Sequence, residues 1–211
     1  MPIDLAEILA PRRCAVVVFE CQQRLLGEGT PLPGLRAAAE ATGLLENLAG
    51  LLRRGRKAGV PVVYVRVVPA PPGEASRMHS PLEARVGPRG GGEAPHGFDA
   101  GPICKEVAPC DGDIVVERPH GMTGFYRSDL DSVLRAFGAE TLVLAGISLN
   151  IGVLGTAIEA VNRGYRVVIP QDCVAADPPE YKDPILRYSL RNLAYLSDAE
   201  AIAEHFEGAL A

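Results

Sequence analysis

The chain has 211 residues, of which 47% are hydrophobic and 22% are charged, and these values exclude a disordered chain. Aromatic residues make up only 5% and Trp is absent, so the predicted core is aliphatic. The 26 acidic residues outnumber the 21 Lys and Arg, which gives a net charge of −5. Nucleic acids and anionic membranes both require a basic protein face, so we expect neither as a partner.

The sequence lacks the run of ~20 apolar residues that a membrane span requires. Its first eleven residues include Asp4 and Glu7 and no basic cluster, unlike a signal peptide. Five cysteines without a Cys-x-x-Cys pair favour reduced thiols over a disulfide framework. We therefore expect a cytoplasmic protein.

Short apolar runs alternate with helical patterns, which is typical of parallel strands joined by helices. The predicted strands are 14–19, 60–68, 113–117, 141–147, 165–169 and 192–196. The predicted helices are 34–57, a helix capped by Ser128 or Asp129 and ended by Gly138, one from about 153 to 164, one over 179–191, and a last one capped by Asp198. The predicted fold class is α/β, a doubly wound open parallel sheet with helices on both faces.

Residues 69–112 interrupt this alternation. They contain 8 Pro and 8 Gly in 44 residues, which excludes a helix or a central strand. We interpret the segment as a surface excursion from a single domain, 1–211, rather than as a second domain. It is either a mobile loop or a lid or oligomer arm.

Polar residues follow three of the predicted strands, where open α/β sheets bind their ligands. Glu20 ends an apolar run, so burial should raise its pKa and suit it to proton transfer. It can instead cap a turn or pair with an arginine. Arg118 and Arg127 are candidates for bidentate binding of a carboxylate, and His120 for acid–base chemistry, although each also fits a surface role.

The third strand end, 146–152, leads into a helix that begins near Gly152. Backbone N–H groups at such a start favour an oxyanion or a ligand carboxylate. A single glycine is a weak signal for this function.

Together these segments resemble the isochorismatase-like hydrolase superfamily, which includes nicotinamidases, N-carbamoylsarcosine amidohydrolase and isochorismatase. The resemblance runs from Cys14 to about Leu196. It rests on VVVFECQ (16–22), GFYRSDLDSVLRAFG (124–138) and above all AGISLNIGVLGTAIEAVNRGYRVVIPQD (145–172). It implies the isochorismatase-like fold, a small-molecule substrate and a homo-oligomer, a dimer or larger.

Most members of that superfamily use an Asp, a Lys and a nucleophilic Cys, and this chain differs at all three places. The Asp position is Glu20, and the Cys position is Gly152. Counting back from Phe125 puts the Lys position at Pro119, one residue after Arg118. The resemblance also implies a cis peptide between Ile147 and Ser148, with the N–H groups of Ser148 and Gly152 as oxyanion donors.

Glycine has no side chain to acylate, so hydrolysis through a thioester is not expected. Cys21 adjoins Glu20, but successive strand residues point to opposite faces, which makes it a poor substitute nucleophile. No Asp-x-His pair of metal ligands follows the first strand. The excursion also contains potential ligands, but they lack the regular spacing of a metal site; these are His79, His96, Asp99, Cys104 and Cys110. We expect no metal and no cofactor.

True isochorismatases resemble this chain in having an Ile-Gly pair at 151–152 and a Phe-x-Arg-Ser-x-Leu segment at 125–130. They hydrolyse a vinyl ether by protonating it, which needs no nucleophilic side chain. Glu20 can supply that proton, but the missing Lys argues against isochorismatase itself, because Arg is not a simple substitute.

We therefore predict a hydrolase that lacks the nucleophilic cysteine and acts on a small anionic metabolite by general acid–base chemistry. Glu20 would be the acid or base, with Arg118 and His120 orienting it or balancing its charge. The pocket would be lined by Phe125, Arg127 and Ile147. The N–H groups of Ser148 and Gly152 would hold negative charge. The alternative is a catalytically silent small-molecule binder or assembly partner; isomerisation or elimination in the same cleft is a third possibility.

Overall fold

The computed structural model describes residues 5–71, 80–82 and 99–208. Six strands form one parallel sheet in the order β3-β2-β1-β4-β5-β6. The strands are β1 Cys14–Phe19, β2 Val62–Val67, β3 Ile114–Arg118, β4 Thr141–Gly146, β5 Arg166–Pro170 and β6 Tyr195–Ser197. Strands β2 and β3 follow on one side of β1, and β4 to β6 follow on the other side. The strand order therefore reverses between β1 and β4, and doubly wound sheets bind ligands at such a switch point. The predicted fold class is confirmed.

Among the described residues, five helices of seven or more residues cover the sheet. They are α1 Pro33–Ala41, α2 Leu44–Lys57, α3 Leu130–Ala136, α4 Leu154–Asn162 and α5 Ala199–Gly208. Short helical segments are Leu5–Ile8, Pro11–Arg13, Gln23–Leu26, Lys105–Val107, Leu149–Val153 and Gln171–Cys173. The predicted cap of the last helix is confirmed, because Asp198 accepts a hydrogen bond from the Ala201 N–H at 2.8 Å.

Two of the helix predictions are wrong in their extent. The single helix over 34–57 is two helices, because Gly43 takes a left-handed φ of 63° between them. The helix over 179–191 is a series of short turns, namely Pro179–Tyr181, Lys182–Pro184, Ile185–Ser189 and Leu190–Asn192.

Side chains alternate along β1 between two separate hydrophobic cores. Val16 and Val18 pack with α1, α2 and α5 on one face of the sheet. Val17 and Phe19 pack with α3 and α4 on the other face. Because both faces are covered, the whole strand is buried, as its uninterrupted apolar sequence predicts. Phe19 and α4 therefore share one side of the molecule.

The chain returns from the proline- and glycine-rich excursion beside the end of β1. Ile103 forms an antiparallel bridge with Gln22, whose side chain is fully buried. The Gln22 amide donates to the carbonyls of Val67 (3.0 Å) and Gly101 (2.6 Å) and accepts from the Val67 N–H at 2.7 Å. One glutamine thus ties together the β1 end, the β2 end and the returning chain.

The remainder of the excursion, 72–79 and 83–98, lies outside the described residues, so its role stays a prediction, as does the single domain. Across the part of the chain that the structure describes, no helix combines the length and apolarity needed to cross a membrane.

Candidate active site

The ends of β1 and β4 lie side by side, with Phe19 opposite Gly146. The Ile147 N–H donates to the Phe19 carbonyl at 3.0 Å, and the Glu20 N–H donates to the Val65 carbonyl on β2 at 2.9 Å. Glu20 has a φ of 53°, a left-handed conformation that costs a non-glycine residue on the order of 1 kcal/mol. These bonds fix the turn that presents Glu20 at the switch point of the sheet.

Glu20 forms a buried ion pair with Arg118, the last residue of β3. The Arg118 Nη2 donates to Glu20 Oε1, and its Nη1 donates to the carbonyls of His120 (3.1 Å) and Gly121. The two side chains are 3% exposed for Arg118 and 16% for Glu20. Because β3 and β1 are separated by β2, their backbones are about 10 Å apart, and only a long side chain bridges that distance.

The strand register decides which residue of β3 faces Glu20. Val116 and Arg118 are buried, while Glu117 between them points to solvent. Counting back from Phe125 placed the superfamily's Lys position at Pro119, and the cation that reaches the carboxylate is Arg118, the residue before it.

Burial raises the pKa of Glu20 above its usual value. The positive charge and the hydrogen bond of Arg118 oppose this shift, but burial prevails. Within the described residues, the Arg118 Nε–H is buried and has no hydrogen-bond partner. The site therefore holds a carboxyl group whose pKa is shifted toward neutral pH.

The turn after β4 carries backbone donors. The peptide between Ile147 and Ser148 is cis, as the resemblance implied. Residues Leu149–Val153 form one wide helical turn that leads into α4, with the Val153 N–H bonded to the Ser148 carbonyl at 3.0 Å. In the part of the chain described by the structure, the Ser148 N–H has no protein acceptor. An N–H group without a protein acceptor can donate to a ligand oxygen.

Gly152 in that turn is in contact with the ring of Phe19. A Cβ on Gly152 would overlap Phe19 Cε1 and lie only 3.0 Å from Cζ and 3.1 Å from Cδ1. The Phe19 side chain is fully buried, and the Arg118 guanidinium lies 5.6 Å above the centre of its ring. Sequence reasoning missed Phe19; the available signal was a large aromatic residue at the end of a valine-rich strand, on the face of α4.

The other candidate residues lie on the segment after β3. Phe125 is buried, with its ring stacked 6.0 Å from that of Tyr165 and the Arg163 guanidinium 4.6 Å away. Arg127 is exposed and has a φ of 48°. His120 is half-buried and contributes its carbonyl to Arg118. Substrate contacts of these side chains stay predictions.

Four of the five cysteines are buried, and only Cys110 is exposed. Cys21 packs in the core opposite Phe19, and its thiol points to the Phe19 carbonyl at 3.8 Å. Burial raises its pKa and that of Cys173, and raises the pKa of Cys14 to about 12 and of Cys104 to about 11. The buried thiols are therefore poor nucleophiles.

Among the described residues, no three His, Cys, Asp or Glu side chains converge on a point where a metal ion would bind. His79 and His96 lie outside those residues. An open groove of about 390 Å³ lies near the ends of β5 and β6 and contains none of the eight candidate site residues; it is lined by Gln171, Asp183, Leu186, Arg187, Arg191 and Leu196.

Solved structures share this fold over nearly the whole chain. A cysteine hydrolase from Pseudomonas syringae pv. phaseolicola has a TM-score of 0.77 at 22% identity, with 99% of this chain and 96% of that one covered. The N-carbamoylsarcosine amidase from Thermoplasma acidophilum has a TM-score of 0.67 at 26% identity, with coverages of 89% and 97%.

Similar sequences include enzymes with named activities. The maleamate amidohydrolase of Pseudomonas putida is 29% identical over 80% of this chain and 76% of its own length. A ureidoacrylate amidohydrolase of Azorhizobium caulinodans is 29% identical over 86% of this chain and 85% of its own length. An isochorismatase family protein of Escherichia coli, YecD, is 32% identical over 92% and 96%. The isochorismatase domain model matches residues 14–201, so the chain belongs to the isochorismatase family, whose named relatives here are hydrolases.

Proposed function

We propose that this protein is a hydrolase that acts on a small anionic metabolite by general acid–base chemistry, without a covalent nucleophile. The observation that carries the proposal is the buried Glu20 carboxyl group, fixed at the switch point of the sheet with its pKa raised by burial. A carboxyl group that titrates nearer to neutral pH is suited to giving and taking a proton. Gly152 provides no side chain for an acyl-enzyme.

The other candidate residues have the following roles in the proposed reaction. Arg118 holds the carboxylate in place and balances its charge when the proton leaves. The N–H groups of Ser148 and Gly152 stabilise negative charge that develops on the substrate. His120 orients Arg118 through its carbonyl, while Arg127 and Phe125 contribute to binding.

The substrate class is inferred from the substrates that the relatives' names give and from the N–H donors of Ser148 and Gly152. Maleamate and ureidoacrylate, the substrates that the relatives' names give, are small carboxylates with an amide or urea group. An amide of this class is hydrolysed when water, deprotonated by Glu20, attacks the carbonyl and the same carboxyl group returns the proton to the leaving amine. A vinyl ether of similar size is hydrolysed when Glu20 protonates the double bond and water adds to the resulting cation, returning a proton to Glu20. The hemiketal that forms then splits into a carbonyl compound and an alcohol.

One observation favours a second function, a silent binding protein. The Phe19 ring lies against Gly152, and the Arg118 side chain bonds Glu20 and two carbonyls. A site with these contacts can bind a ligand without turning it over.

The experiment measures product formation from maleamate, ureidoacrylate and an enolpyruvyl ether carboxylate by mass spectrometry, for the wild type, Glu20→Gln and Glu117→Gln. Glu117 is the matched control, because it lies on β3 next to Arg118 but faces solvent. We expect Glu20→Gln to lower turnover at least ~100-fold, as loss of a general acid–base does, and Glu117→Gln to leave it unchanged.

Equal turnover by Glu20→Gln and the wild type would contradict the role of Glu20. Ligand-induced thermal stabilisation without any product, in all three proteins, would instead support the binding protein.

A further inference from the structure

Phe19, the last residue of β1, has its ring against Gly152 in the turn before α4. Alternation along β1 puts it on the same face as α4, and alternation along β3 puts Arg118 on that face as well. The ring therefore lies between two parts of the candidate site, the Gly152 turn and the guanidinium of Arg118.

Toward Gly152 the ring excludes a side chain. Three ring carbons lie within 3.1 Å of where a Cβ would stand, and they are the nearest atoms to it. Gly152 has no left-handed φ, so its backbone imposes no strain on an L-residue, and the nearest obstacle is the Phe19 ring. The ring has no exposed surface and packs against buried neighbours, so it cannot turn away into solvent.

Toward Arg118 the same ring supports a charge. The guanidinium lies 5.6 Å above the ring centre, within the range of a cation–π contact, while Nη2 bonds Glu20. The guanidinium is also held by the carbonyls of His120 and Gly121, but its buried Nε–H has no partner among the described residues.

We infer that Phe19 is a positioning residue of this site, which fills the space of a side chain at position 152 and holds the Arg118 guanidinium against Glu20. The ring and the glycine form a complementary pair: the large residue at 19 requires a glycine at 152. Replacing Gly152 alone therefore cannot supply a nucleophile in this chain. This inference concerns the site of the proposed function but does not depend on turnover.

A double-mutant cycle tests the steric part, with urea midpoints measured for Gly152→Ala, Phe19→Val and the double variant. Gly152→Ala should lower the midpoint in the wild type and raise it in the Phe19→Val background, where the added methyl group fills the cavity. Gly50→Ala is the control, because nothing lies within 4 Å of its Cβ, and it should raise the midpoint in both backgrounds. Phe19→Leu replaces Phe19→Val if the valine variant does not fold.

A carboxyl ¹³C NMR titration tests the positioning part. Phe19→Leu should raise the pKa of Glu20 above its wild-type value, because a less well held guanidinium lowers that pKa less. Phe206→Leu is the matched control: Phe206 is equally buried, but it lies in the core on the other face and should leave the pKa of Glu20 unchanged.

The inference is overturned if Gly152→Ala shifts the midpoint by the same amount in both backgrounds, or if Phe19→Leu and Phe206→Leu leave the Glu20 pKa equally unchanged. Neither measurement uses a substrate. Failure here is therefore separate from a failure to find turnover.

Discussion

Removing the cation from the buried ion pair should strongly destabilise the protein. In Arg118→Met the apolar volume is largely kept, but the Glu20 carboxylate loses its partner while only 16% of its side chain is exposed. Breaking a buried pair from one side costs about 3–5 kcal/mol, which for a chain of this size lowers the melting temperature by about 6–20 °C.

The stability lost in Arg118→Met should depend on pH, and the pKa of Glu20 decides whether the loss grows or shrinks as pH rises. That pKa is already raised by burial, and without Arg118 it rises further. Below the unfolded pKa of about 4.3, the carboxyl group is neutral in both states and no charge is buried. As pH increases above that value, the unfolded state ionises first, the folded state binds more protons, and stability falls.

Urea denaturation at pH 4.5 and pH 8 measures this, with the larger loss expected at pH 8. Glu20→Gln combined with Arg118→Met should recover most of the lost stability, because no unpaired charge remains. Arg54→Met is the surface control, since Arg54 pairs with the exposed Glu200 and Glu207, and it should have little effect at either pH. A loss below about 1 kcal/mol, or equal losses at the two pH values, would refute the reasoning.

Three further predictions concern other parts of the fold. Gly146→Ala should cost about 3 kcal/mol or more by chemical denaturation, because φ is 117° and a Cβ would overlap the Phe19 carbonyl, whereas Gly50→Ala should stabilise by about 1 kcal/mol. Thr156→Val should cost about 1–3 kcal/mol and speed amide exchange at Gly124, whose N–H donates to the buried Thr156 hydroxyl at 2.8 Å. Folded protein should react with one equivalent of a thiol reagent at Cys110, and unfolded protein with five.

Local patterns made much of the fold predictable. The run 14–19 matches β1 residue for residue, and Asp198 caps the last helix, because both depend on near neighbours in the chain. The break at Gly43 was harder to predict, since buried apolar residues follow a helical spacing both before it and after it. Tertiary packing there, rather than periodicity, decides where the helix ends.

The candidate site was predictable as a region but not as a set of contacts. Strand ends identify Glu20 and the turn at 146–152, because parallel strands bring their carboxyl ends to one edge. The pairing of Glu20 with Arg118 joins residues 98 positions apart and follows from the register of β3 against β2. The contact of Phe19 with Gly152 depends on which face each side chain takes, and a single sequence does not reveal that two such residues meet.

The anchor formed by Gln22 has a consequence for how this protein can diversify. Gln22 lies two residues after Glu20 in the sequence and binds the returning chain at Gly101 and Ile103. Its buried bonds involve only main-chain atoms of its partners. The atoms of those bonds all lie outside residues 72–98, so insertions, deletions or exchanges in that range remove none of them. Grafting a relative's segment between these points therefore spares the bonds of Gln22.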